Sequence, residues 1–204
     1  GAMVTLTLGH MCPPGLAGIH LNFVPFQPTE AEIAGASEAE QEMLADARRY
    51  DADYSGYMKL MGTRPQSVAF ALADSPVGLA AWIYALFQDV SDSHGNPEAV
   101  FSLDEMIDDI MLYWLPNAGA SSARLYWEGM QAMRQGGMPQ AKVPTPAGIS
   151  MFAGEQVRLS QRWADSRFDR ITHFAEHSRG GHFAALEAPE SLVADLRETV
   201  RSLR

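Results

Sequence analysis

The chain has 204 residues, of which 47% are hydrophobic and 20% are charged, a composition that is typical of folded domains and argues against a disordered or fibrous protein. The 15 basic and 25 acidic side chains give a net charge of −10, which argues against a nucleic-acid-binding module because such a module needs a basic surface. With a single cysteine, Cys12, the chain can form neither an internal disulfide nor a CxxC zinc site.

The sequence also bears on location. No apolar run approaches the ~18–20 residues that span a bilayer, so no membrane span is expected. The first residues lack the basic and long apolar stretches of a signal peptide, and the cysteine content does not require an oxidising compartment. The expected location is therefore cytoplasmic.

The first predicted elements are a helix and a strand. Small residues over Ala2–His10 predict a short helix, which Pro13, Pro14 and Gly15 end. The apolar alternation of Leu16–Phe23 then predicts a strand.

A long segment follows in which only helices are predicted. Two capping-box patterns, Thr29 with Glu32 and Ser37 with Glu40, predict helix starts, and the second leads into an amphipathic helix over Glu40–Tyr54. Further helices are predicted, in chain order, over Tyr57–Met61, Ser67–Ala73, Val77–Val90, Leu103–Leu115 and Ala118–Met133, followed by a linker over residues 135–139. The helix over Val77–Val90 is apolar on nearly every side, so we expect it to be buried.

The C-terminal part returns to an alternating pattern. Apolar runs predict strands over Ala147–Phe152 and Arg170–Ala175, with a helix over Val157–Trp163 between them. A closing amphipathic helix is predicted over Pro189–Leu203. Its apolar side chains are expected to point toward the core, namely Leu192, Val193, Leu196 and Val200.

A helical block between strands of one sheet predicts an α/β domain with an inserted cap. The predicted boundaries place the α/β core in residues 1–27 and 143–204 and the helical cap in residues 28–142. Three strands are fewer than the ~5–6 of a typical sheet, so further strands are expected outside this sequence.

Two residues are candidates for chemistry. His182 follows a Gly-Gly pair after the last predicted strand, and Glu155 follows the strand that ends at Phe152. Both thus lie at carboxyl ends of strands, where open α/β sheets bind ligands, and an acid there can orient an imidazole. Taken alone, Glu155 is more often a solvated loop residue and His182 a surface or capping histidine, so these readings stay open.

A nucleophile is missing from the predicted constellation. The sequence contains neither G-x-S-x-G nor G-x-D-x-G, and a histidine with its acid cannot perform covalent catalysis alone. Cys12 is a poor substitute because it lies at the far end of the first helix, next to Pro13. His173 and His177 lack a carboxylate at ligand spacing, so no metal site and no cofactor are predicted.

Four separated segments together carry a family resemblance over essentially the whole chain: Pro13–Asn22, Thr63–Gln66, Ala73–Ile83 and Gly180–Glu187. In this order they resemble the epoxide hydrolases of the α/β-hydrolase fold, in the branch of the microsomal and juvenile-hormone enzymes. The resemblance implies an α/β fold that is the C-terminal part of the parallel sheet of an α/β-hydrolase, with an inserted all-helical cap.

The resemblance also implies site residues and partners. It makes His182 the base that activates water, Glu155 its orienting acid, and Tyr57 and Tyr126 the donors to the epoxide oxygen. The family's nucleophile elbow reads Gly-Gly-Asp-Trp-Gly, and the match places Gly1 two residues after the aspartate. The nucleophile is therefore expected upstream, in an N-terminal half on the same or a separate chain, and this chain alone is expected to be inactive.

The implied substrates are a small apolar epoxide and water, without a cofactor or metal and without nucleic acid, and homodimer formation is left open. One alternative is a catalytically incomplete remnant that acts as a binding or partner subunit. Another is a hydrolase of haloalkanes or esters, which the tyrosine pair disfavours.

Overall fold

The computed structural model describes residues 1–136 and 141–203. Their contacts divide the chain into two units, one formed by residues 1–50 with 141–203 and the other by residues 51–136. The predicted linker over residues 135–139 falls mostly outside the described part of the chain.

A parallel sheet forms the centre of the first unit. Its strands are β1 (Ile19–Leu21), β2 (Ala147–Phe152) and β3 (Ile171–His177), in the order β1-β2-β3. Every residue of β2 is buried, as expected for a strand with neighbours on both sides. The predicted α/β class and the bounds of β2 are confirmed. β1 is shorter than the predicted strand over Leu16–Phe23. Leu16 belongs instead to a turn, in which its N–H donates to the Pro13 carbonyl over 3.1 Å.

Eleven α-helices lie within the described residues: α1 (Ala2–Met11), α2 (Glu30–Ala34), α3 (Glu38–Arg49), α4 (Gly56–Thr63), α5 (Pro65–Asp74), α6 (Pro76–Val90), α7 (Leu103–Trp114), α8 (Gly119–Gly136), α9 (Gln161–Asp165), α10 (Ala184–Glu187) and α11 (Pro189–Arg201). Both predicted capping boxes are confirmed, at the starts of α2 and α3. The described elements of the second unit are all helical, namely α4 to α8, a π-helical turn continued from Tyr50 to Tyr54, and a 3₁₀ turn at Pro97–Ala99.

The helix predicted over Val157–Trp163 is wrong at its start. The structure begins α9 at Gln161, where the Ser160 hydroxyl accepts a hydrogen bond from the Trp163 N–H. The Val157 N–H instead lies 3.4 Å from the Glu155 side-chain oxygen Oε1, so the loop after β2 is shaped by a carboxylate rather than by helical bonds.

The expectation that α6 is buried holds for only one side of the helix. Its buried residues form one stripe, Leu79, Ile83, Phe87 and Val90, while Val77 is 75% exposed. Among the described residues, no single helix is long and apolar enough to span a membrane. The helices α5 and α6 have the required length and apolar composition only when they are counted together, and a bend of 118° separates them.

The closing helix α11 buries a different face from the predicted one. Its buried residues are Asp195 and Thr199, whereas Val193, Leu196 and Val200 are exposed. The physical reason is a polar cluster formed with the sheet, because a buried carboxylate is tolerated only where donors surround it.

Four side chains of the sheet complete this polar cluster. The Ser150 hydroxyl donates to Asp195 over 2.6 Å, and the Nε2 atoms of His173 and His177 lie 2.9 and 2.5 Å from its oxygens. His20 links Ser150 to Thr199 through its two ring nitrogens. Burial lowers the pKa of His20 to about 4, although the Asp195 charge acts in the opposite direction. His173 and His177 therefore do have a carboxylate partner, which comes from a distant helix.

Three ion pairs tie the segment of α2 and α3 to the segment around α9, within the first unit. Arg167 lies 2.7 Å from Glu32, Arg162 lies 2.6 Å from Glu40, and Arg158 lies 2.6 Å from Asp46. The hydrogen bond from Arg162 lowers the pKa of Glu40 to about 2, and that from Arg167 lowers the pKa of Glu32 to about 2. Residues 28–50, which the predicted boundaries assign to the cap, are thus bonded to the sheet-bearing unit.

Acid is expected to destabilise this attachment. A carboxyl group whose folded pKa is lowered contributes stability above its unfolded pKa of about 4.3 and loses it as the pH falls through its folded value. The free energy of unfolding should therefore fall between pH ~5 and ~2. Glu40→Gln should cost about 1.5–3 kcal/mol at pH 7, because the buried Glu40 carboxylate accepts charge-assisted hydrogen bonds from Arg162 and Ser160, and it should flatten this pH dependence.

Urea denaturation at pH 7, 5 and 3 measures these differences. Glu42→Gln is the control, since Glu42 is exposed on the same helix. Equal destabilisation by the two substitutions at pH 7 would contradict the expectation.

Candidate active site

The loop after β3 carries His182. It contains Gly180, whose φ of 97° lies in the left-handed region that favours glycine. A Cβ atom at Gly180 would lie 2.9 Å from Cδ1 of Phe152, so the close approach of the loop to β2 also requires glycine. The Gly180 carbonyl accepts a hydrogen bond from the Gly154 N–H over 2.8 Å, which joins this loop to the loop that follows β2.

This joining brings Glu155 and His182 together. Nδ1 of His182 lies 2.8 Å from Oε2 of Glu155, and the other carboxylate oxygen accepts a hydrogen bond from the Gln156 N–H over 2.8 Å. The Glu155 side chain is 3% exposed and the His182 side chain 41%. A buried, oriented carboxylate thus holds one edge of a ring that remains accessible. The catalytic roles assigned to the two residues stay predictions.

The electrostatic surroundings of His182 favour its protonated form. Burial of the ring opposes protonation, but the hydrogen bond and charge of Glu155 and the charge of Glu187 outweigh it, so the pKa of His182 is raised above its ordinary value. An imidazole that is stabilised in this way can accept a proton during a reaction and hold it for transfer.

Two residues just after β1 also contact His182, and neither was predicted as a site residue from the sequence. The edge of the Phe23 ring packs against the imidazole, with 5.5 Å between ring centroids and 69° between planes. Nδ2 of Asn22 donates to the His182 carbonyl over 3.4 Å. The signal that could have found them is position, because both directly follow a strand whose carboxyl end lies at the same edge of the sheet as Glu155.

Tyr57 and Tyr126 lie in the second unit and contact each other. Tyr57 is in the first turn of α4 and Tyr126 is on α8, and their ring centroids are 5.9 Å apart at 82°. Burial, followed by the influence of Tyr57, raises the pKa of Tyr126 to about 12. Tyr126 is nevertheless 36% exposed, so this phenol keeps its proton at neutral pH and is accessible for hydrogen bonding.

No group of three or more His, Cys, Asp or Glu side chains within residues 1–136 and 141–203 is arranged to hold a metal ion. The candidate residues form a histidine–carboxylate pair in the first unit and a pair of phenols in the second. These groups can transfer protons and stabilise a developing oxyanion.

Comparison with known proteins gives relatives along the whole chain. A Stigmatella aurantiaca protein named "Putative epoxide hydrolase" is 47% identical over 204 residues, which are 100% of this chain and 46% of that protein. "Epoxide hydrolase 1" of Sus scrofa is 31% identical over 97% of this chain and 48% of its own length. The solved structure of Aspergillus niger epoxide hydrolase matches with a TM-score of 0.82 and 27% identity, covering 100% of this chain and 50% of that one. No family model matches.

All three relatives are named epoxide hydrolases, and the chain matches a similar share of each of them. The chain spans about half the length of the curated relatives it matches, and that half includes the sheet strands and the helical unit described above. The sequence resemblance is thereby confirmed, and so is the fold class. The chain belongs to the epoxide hydrolases of the α/β-hydrolase fold.

Proposed function

We propose that this chain supplies the water-activating and proton-donating residues of an epoxide hydrolase, which converts an epoxide to a vicinal diol through an aspartyl ester. The nucleophilic aspartate is contributed by residues upstream of this chain, because none of its glycines begins a G-x-D-x-G elbow. The observation that carries the proposal is the 2.8 Å contact between His182 and the buried Glu155 in a chain of this family.

Ring opening is the first step. The aspartate attacks an epoxide carbon, the C–O bond of the ring breaks, and the departing oxygen becomes an alkoxide that takes a proton from a phenol. Tyr57 and Tyr126 are the donors, and the raised pKa of Tyr126 keeps its proton in place until the alkoxide forms. The phenol then regains a proton from solvent.

Ester hydrolysis is the second step. Because Glu155 holds Nδ1 of His182, proton exchange takes place at Nε2, which removes a proton from water. The resulting hydroxide adds to the ester carbonyl, the ester C–O bond breaks, and the diol oxygen takes the proton from the imidazolium. The carboxyl group that remains on the enzyme releases its proton to solvent, which restores the aspartate and balances the proton that the phenol regained in the first step. Glu155 orients the ring and stabilises its charged form throughout this step.

A single-turnover experiment in H₂¹⁸O tests this sequence of steps. It uses the complete hydrolase, meaning this chain together with its proposed N-terminal half, in excess over styrene oxide. The diol should carry ordinary oxygen from the enzyme carboxylate. ¹⁸O should enter the diol only when the same enzyme is then given further portions of styrene oxide. Label in the first diol would show direct attack by water and overturn the ester.

Two further substrates separate the alternatives. The complete hydrolase should release neither chloride from 1-chlorobutane nor nitrophenol from p-nitrophenyl acetate at a rate near that of styrene oxide. Binding of styrene oxide without formation of any diol would instead support the partner-subunit alternative and contradict the proposal.

A further inference from the structure

Glu187 contacts the backbone next to the candidate base. It is the last residue of α10, the short helix that begins two residues after His182. Its Oε1 atom accepts a hydrogen bond from the Phe183 N–H over 2.8 Å. Since Phe183 directly follows His182 and its ring packs edge-on against the imidazole at 5.5 Å, the carboxylate restrains the turn that aims the catalytic ring.

We propose that Glu187 is a positioning residue for His182, which fixes the backbone behind the imidazole and adds a second negative charge to its surroundings. The inference rests on the proposed function, because it assigns to His182 the role of water-activating base. Glu155 and Glu187 then divide the work: the first bonds the ring itself, and the second bonds the main chain beside it.

The charged side chains that influence His182 come from two parts of the first unit. Glu155 follows β2, and Glu187 ends α10. Asn22 and Phe23, which contact His182 from the end of β1, are uncharged. Glu187 is thus one of two carboxylates whose negative charge favours the imidazolium form of His182. The same side chain also accepts the hydrogen bond from the Phe183 N–H.

Two substitutions separate the bond from the charge. Glu187→Gln keeps an oxygen that can accept the Phe183 N–H and removes only the negative charge. Glu187→Ala removes both the accepting oxygen and the charge. A role limited to helix capping predicts that the glutamine variant behaves as the parent protein, whereas the proposal predicts a change in the pKa of His182 in both variants.

The test uses the complete hydrolase with ¹³C-labelled histidine rings and follows the His182 resonance against pH, together with kcat for styrene oxide. In Glu187→Gln the pKa of His182 should fall, and the acidic limb of the kcat profile should move to lower pH. In Glu187→Ala the same shift should be accompanied by a loss of about tenfold in kcat at every pH, because the ring is less well aimed. Glu190→Gln, at an exposed glutamate in the first turn of α11, should change neither quantity.

If the pKa of His182, measured from its resonance, is the same in both Glu187 variants as in the parent protein, the inference is overturned. If the alanine variant does not fold, the glutamine variant alone decides the question. Failure of the proposed function is a different outcome. In that case His182→Gln would retain turnover, while the NMR titration would still measure the effect of Glu187 on the ring.

Discussion

His182→Gln in the complete hydrolase is expected to lower steady-state turnover of styrene oxide by about 10³-fold while ring opening continues, since loss of a positioned base costs 10²–10⁴-fold. Glutamine approximates the shape of imidazole but cannot remove a proton from water. The ester should therefore form at the normal rate and accumulate, because only the second step needs the base held by Glu155.

Intact-mass measurement after rapid quenching detects the accumulated ester as an adduct with the mass of the substrate. Glu155→Gln should give a smaller defect, since an amide oxygen can still hold Nδ1 but no longer stabilises the imidazolium. His94→Gln is the matched control, because His94 lies exposed on a loop of the helical unit. Normal turnover without an adduct in His182→Gln would exclude His182 as the base.

Tyr57→Phe and Tyr126→Phe are each expected to slow ring opening by about 10- to 100-fold, and the double substitution should nearly abolish it. The alkoxide that forms as the ring opens needs a proton, and either phenol can still supply one when the other is lost. Because the two rings are in contact at 5.9 Å, the effects should not be additive.

Single-turnover kinetics with the complete hydrolase measure the rate of ester formation directly. Hydrolysis of the ester should proceed at the parental rate in both single variants, since that step depends on His182. Tyr84→Phe serves as the control, because Tyr84 belongs to the same helical unit and its hydroxyl donates to Glu98 at the surface. Unchanged ester formation in the double variant would refute the assignment of these tyrosines.

The elements that sequence patterns predicted well are those whose signals are local. The two capping boxes need only a hydroxyl residue and a glutamate three positions later, and both are present at the starts of α2 and α3. The strand β2 is a short apolar run between turn residues, and its predicted bounds match the structure. Local patterns predict local bonds, because the partners are close along the chain.

The orientation of α11 could not be predicted in this way. Its apolar spacing favours an inward face with Leu196 and Val200, but burial is decided by what the opposing surface offers. Ser150, His173 and His177 present donors to that helix, and they stabilise Asp195 on the buried side. The partners are separated by 18 to 45 residues, so no sequence window contains them together.

The candidate site shows the same division between sequence and tertiary structure. The sequence by itself determined that His182 and Glu155 each follow a strand. Because parallel strands place their carboxyl ends at one edge of a sheet, this position put the two residues at the same edge. Only the tertiary structure decided that a bond from Gly154 to Gly180 joins their loops, and that Phe23 packs against the ring. The physical reason is that strand order and register, which no single segment specifies, bring those atoms within contact distance.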